Sequence, residues 1–156
     1  MIDYKKLNEH DLNRMAVSII YDALPAINVT NKIKATDIMG QNTPYDILWN
    51  DNKLCVRIAN VSNTSRFPKW NYTLKAENRT IIDFYILIAI RDGEVFKVFV
   101  LAPDIIPETT VTITERMGSV RYDMFSTTLE KIPEKILEIK RNIDEYRKLY
   151  QEVKNG

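Results

Sequence analysis

Three features of the sequence predict one α/β or α+β domain with a central mixed or antiparallel β-sheet flanked by helices. They are an amphipathic helical pattern near the start, a meander of apolar strands joined by tight turns, and a long charged helical pattern near the end. A length of 156 residues suits a single domain, 1–156, large enough to bury a core without a disulfide or a structural metal. With 45% hydrophobic and 28% charged residues, a disordered or fibrous chain is excluded.

The elements follow in order. In residues 4–24 the apolar Leu7, Leu12, Met15, Ile19, Ile20, Ala23 and Leu24 recur at helical spacing, and Pro25 ends the helix. Residues 33–38 read as a short strand and residues 40–44, Gly-Gln-Asn-Thr-Pro, as a turn or loop. Residues 45–49 read as a strand, turned by Asn50-Asp51-Asn52 into a second strand over residues 53–60. Alternation puts Leu54, Val56 and Ile58 on one face of that strand and Cys55, Arg57 and Ala59 on the other.

A loop over residues 60–68 leads to a short extended piece, 70–74. Two long strands, 80–90 and 95–102, are joined through Arg91-Asp92-Gly93-Glu94, where Asp-Gly marks a hairpin. Their nearly unbroken apolar character predicts cover on both faces, by helices. Residues 109–114 read as an edge strand. The tail, residues 133–153, reads as one long helix whose Ile132, Ile136, Ile139, Ile143, Tyr146, Tyr150 and Val153 form a stripe at alternating spacings of four and three. Such a stripe packs either on the chain's own sheet or on a second copy as a homodimer.

Composition narrows the chemistry. One cysteine, Cys55, and one histidine, His10, exclude an internal disulfide and any zinc site built from Cys and His. Four isolated glycines make no phosphate cradle. The opening residues lack an apolar signal core and no apolar run approaches ~20 residues, so the expectation is a cytoplasmic protein with no membrane partner. Lys and Arg total 22 against 21 Asp and Glu, which argues against a polyanion-coating protein. Position matters more than the sum, because from Arg57 to Arg79 there are five cations and one acid, Glu77.

An acidic residue opening one strand, a tight turn, and a second strand with alternating polar positions about ten residues on is how a metal-dependent nuclease places its ligands. With Thr43-Pro44-Tyr45-Asp46, then Cys55-Val56-Arg57, then Ile82-Asp83-Phe84 and the strand ending at Pro103, residues 11–103 resemble the PD-(D/E)XK nuclease superfamily, the restriction-endonuclease-like fold. The resemblance implies a DNA partner, phosphodiester hydrolysis and Mg²⁺, with Asp46 as the metal ligand and positions 55 and 57 as the (D/E) and Lys of the motif.

Cys55 and Arg57 depart from that motif, and a thiol is a poor ligand for a hard cation. The resemblance therefore implies either an endonuclease with an altered site or an inactive member that still binds. Glu9, Asp11, Asp37 and Asp83 are the candidates for a displaced second carboxylate, while Asp51 reads as a turn residue. Cys55 read instead as a nucleophile lacks a histidine nearby in sequence.

Arg66, Lys69, Trp70, Tyr72, Lys75 and Arg79 interleave cations with aromatics, the pattern by which single-stranded or distorted nucleic acid is held; packing against the sheet is the other reading of Trp70 and Tyr72. A non-catalytic interaction domain that dimerises through the terminal helix is the rival reading of the whole chain.

Overall fold

A computed structural model of the chain describes residues 8–25, 32–36, 43–63, 66–74, 79–115 and 121–155. It is an α+β fold with a mixed six-stranded sheet, a two-stranded sheet and helices that include a C-terminal pair.

Helix α1 (Glu9–Ala23) starts where Asn8 Oδ1 accepts the Asp11 N–H at 2.8 Å, and it ends where Leu24 turns extended ahead of Pro25. Ala16, Ile20 and Leu24 are buried, so the expected stripe faces the core. The helix packs across the strand Asn52–Asn60, and Trp49 Nε1 donates to the Pro25 carbonyl at 2.9 Å to hold its exit. The expected first turn, residues 4–7, lies outside the described residues.

The main sheet runs β1 (Lys32–Lys34), β2 (Ile47–Trp49), β3 (Asn52–Asn60), β5 (Phe84–Arg91), β6 (Glu94–Leu101) and β8 (Ser126–Thr127) in that spatial order. All pairings are antiparallel except β3 with β5, which is parallel and registers Cys55 with Tyr85 and Arg57 with Leu87. The sequence-predicted strand at 33–38 is the shorter β1, and its expected end at Ile38 is outside the described residues. The strand expected at 80–90 begins only at Phe84, because Arg79 to Ile81 form a turn.

Both hairpin turns have left-handed backbone: Asn50 and Asp51 at φ 47° and 65°, and Asp92 and Gly93 at φ 54° and 77°. Two consecutive positive φ values match the right-handed twist of the flanking strands.

The second sheet pairs β4 (Lys69–Thr73) with β7 (Thr110–Thr114), and β4 packs against β3. Trp70 Nε1 donates to the Ile90 carbonyl at 2.9 Å and the Tyr72 hydroxyl to that of Ile88 at 2.8 Å. Part of the expected helical cover is thus supplied by a sheet.

The tail is not one helix. It divides at Asn142 into α2 (Ile132–Arg141) and α3 (Ile143–Asn155). The Asn142 side-chain amide and its backbone N–H both donate to the Glu138 carbonyl, at 3.0 and 3.1 Å, so the side chain competes for the helix's own acceptor. Ile132, Ile136, Ile139, Tyr146 and Tyr150 are buried within the chain, Tyr146 and Tyr150 against Phe125. The stripe expected as a possible dimer seam is spent on the chain's own core.

Candidate functional site

The β2–β3 hairpin brings Asp46 and Arg57 together. Asp46 N–H donates to the Leu54 carbonyl at 2.8 Å, continuing the ladder one residue past β2, and the register then sets Asp46 opposite Cys55. The Asp46 carboxylate accepts the Val56 N–H at 2.7 Å, and Arg57 Nη1 stands 3.7 Å from the same oxygen. Both side chains are about a quarter exposed, 25% and 23%. An ion pair so open to water contributes ~0–1 kcal/mol. Its effect is to hold two charges in place.

Cys55 is 3% exposed and lies in the core, so the nucleophile reading fails on access; the thiol packs as a small apolar group.

The Mg²⁺ implied by the resemblance does not fit this donor set. A hard cation needs several oxygens. The hairpin offers one carboxylate, a buried thiol and a guanidinium that repels a cation. Of the candidates for a displaced carboxylate, Asp11 is exposed on α1, while Asp37 and the Glu9 side chain lie outside what is described. Among the described residues no three Asp, Glu, His or Cys side chains converge.

Asp83, expected inside a buried strand, is instead exposed just before β5. Its carboxylate accepts the Lys53 N–H at 2.8 Å while its own N–H donates to the Lys53 carbonyl at 2.9 Å, clamping the start of the parallel ladder. It lines an open depression of about 210 Å³ with Asn52, Phe84, Ala102, Asp104, Lys140 and Ile143. There Lys140 Nζ donates to Asn52 Oδ1 at 2.9 Å, and Asn52, 1% exposed, donates to the carbonyls of Trp49 and Asn50 at 3.3 and 3.0 Å. The terminal helices are thereby tied to the turn of the site's own hairpin.

The cationic segment divides. Trp70 and Tyr72 are 1% and 3% exposed, so the expected stacking role for them gives way to core packing. Burial pushes the Tyr72 phenol well above its ordinary range, so it stays a neutral donor. Arg79 is committed to the backbone, donating to the carbonyls of Glu108 at 3.1 Å, Pro103 at 3.4 Å and Ile106. Lys75 lies outside the described residues. Among the described residues of the six, Arg66 is exposed and Lys69 half-buried, and these keep the access that a phosphate contact requires.

Sequence reasoning missed two features. Phe96, 38% exposed, stacks on Trp70 with ring centroids 5.2 Å apart. Glu108 gathers Arg121, Lys154 and the Tyr150 hydroxyl at 2.8, 2.8 and 3.0 Å. Burial pushes the Glu108 carboxyl up, but hydrogen bonds from Lys154, its own backbone and Tyr150, with the Lys154 charge, outweigh that and hold it below its usual range. An aromatic in an apolar strand and an acid in a loop carry no periodic signal.

Among the described residues no helix is long and apolar enough to cross a membrane. Comparison with known proteins finds no matching family model, no matching curated protein and no matching solved structure.

Proposed function

We propose that this chain is a non-cleaving DNA-binding protein of restriction-endonuclease-like organisation. The observation that carries the reading is the Asp46–Arg57 pair across a hairpin whose intervening position is the buried Cys55. An oxygen-rich metal pocket is replaced by a fixed ion pair, which removes the means of activating water while leaving a guanidinium that can fork onto a phosphate. Exposed Arg66 and half-buried Lys69, with Arg57, are the cations of the 57–79 segment that support a polyanionic partner.

The test is duplex DNA binding by fluorescence anisotropy across a salt series, with calorimetric titration of Mn²⁺ alongside. The intact protein should bind duplex in a salt-dependent manner and give no Mn²⁺ heat, and Arg57→Ala should weaken binding and reduce the salt slope by about one contact. Salt-insensitive or absent DNA affinity overturns the DNA reading. A Mn²⁺ heat abolished by Asp46→Ala overturns the non-cleaving part. In Cys55→Glu/Arg57→Lys, which restores the oxygen donor and the smaller cation, a Mn²⁺ heat should appear.

A dimer through the terminal helices would have to use their outer face, where Leu137 and Leu149 are 37% and 40% exposed. Sedimentation at tens of micromolar should give a monomer.

A further inference from the structure

The β5–β6 hairpin presents an aromatic platform. Register runs Ala89 with Lys97 and then Ile90 with Val95, so Phe96 is the extra residue of a β-bulge. A bulge breaks strand alternation and re-aims a side chain. Here it leaves Phe96 and Lys97 both exposed in succession, where a regular strand would turn one of them inward.

The Phe96 ring is backed by buried Trp70 at an interplanar angle of 13°, and Trp70 is itself fixed by its bond to the Ile90 carbonyl. The platform is therefore rigid before any ligand arrives. The Arg91 guanidinium and the Lys97 ammonium stand 5.2 and 6.0 Å from the Phe96 centroid.

We infer that this platform binds single-stranded nucleic acid, with an unpaired base on Phe96 and a neighbouring phosphate on Lys97. The inference rests on the nucleic-acid reading above and moves the stacking role from Trp70 to the ring that Trp70 supports. Arg91 is ion-paired with Glu115, and Asp92 and Glu94 flank the hairpin, so three acids stand against two cations and Lys97 is the cation best placed for a phosphate. Affinity here comes from stacking. A base must compete with the exposed cation–π contacts, worth about two- to fivefold in affinity. A base–aromatic stack is worth about 5- to 150-fold, so the base wins.

The experiment uses the full chain and fluorescein-labelled dT and rU oligomers beside a duplex of equal length, with Phe96→Ala, Phe96→Tyr and Arg57→Ala. Phe96→Ala should weaken oligomer binding at least about fivefold while Phe96→Tyr preserves it, and the oligomer salt slope should correspond to one or two phosphates. Parallel loss with dT and rU marks the shared chemistry of a base and a phosphate, whereas loss with one alone assigns the sugar.

Unchanged oligomer affinity in a folded Phe96→Ala overturns the platform. If duplex binding still responds to Arg57→Ala, the nucleic-acid reading survives that result. No oligomer binding by the intact chain overturns the platform too. Should Phe96→Ala lose its native circular dichroism, Lys97→Glu on the exposed strand edge decides by the same readout, with unchanged affinity overturning the proposal.

Discussion

Replacing Asn52 with Leu removes the polar link between the site's hairpin and α2. The buried amide makes three hydrogen bonds, to the carbonyls of Trp49 and Asn50 and from Lys140. A net hydrogen bond is worth ~1 kcal/mol, and an acceptor left buried and unpaired costs ~1–3 kcal/mol. The Asn50 carbonyl belongs to an exposed turn residue and the Lys140 ammonium to an exposed helix residue, so water can reach both. The Trp49 carbonyl, beside a side chain 2% exposed, loses one of its donors. The expected loss is about 2 kcal/mol, or about 4–8 °C in Tm for a chain of this size. Urea unfolding monitored by tryptophan fluorescence measures it, and a cycle with Lys140→Met isolates the Lys140 bond, whose coupling should be ~0.5–1.5 kcal/mol. A loss below about 0.5 kcal/mol, or a coupling of zero, refutes the link as drawn.

Two further outcomes are expected. Asp51 sits at φ 65°, so Asp51→Gly should raise stability by ~0.5–1 kcal/mol, read as a higher urea midpoint with an unchanged slope. Glu108 has a folded pKa below its unfolded value, so its contribution is present above the unfolded pKa and is lost as pH falls through the folded one; Glu108→Gln should therefore narrow the stability gap between neutral and acidic pH, and an unchanged pH profile would count against the Arg121–Lys154–Tyr150 cluster.

Local signals carried much of this architecture. Asp92-Gly93 and Asn50-Asp51 have the backbone that tight hairpins require, so β2–β3 and β5–β6 were readable from residue type, and period-two alternation already set Cys55 and Arg57 on one face. What stayed hidden depends on partners distant in sequence. Nothing near Cys55 specifies Tyr85 as its parallel neighbour, and nothing near Trp70 specifies that β7 lies beside it. The heptad count ran through Asn142 because spacing records which residues are apolar, while the break there turns on one side-chain amide. For the site, the meeting of Asp46 with Arg57 followed from register, but the exposure of Asp83 depended on where a turn ended.

The parallel ladder of β3 with β5 also shapes how the chain reaches its fold. Each antiparallel hairpin can close locally, on the order of microseconds. The two cannot join until the intervening residues 61–83 have been drawn into a closed loop, an entropic cost met before any of the seven ladder pairs from Leu54–Phe84 to Asn60–Ile90 rewards it. Docking of hairpin on hairpin is thus the expected slow step, and the reciprocal Asp83–Lys53 bonds at the ladder's first rung are placed to latch it.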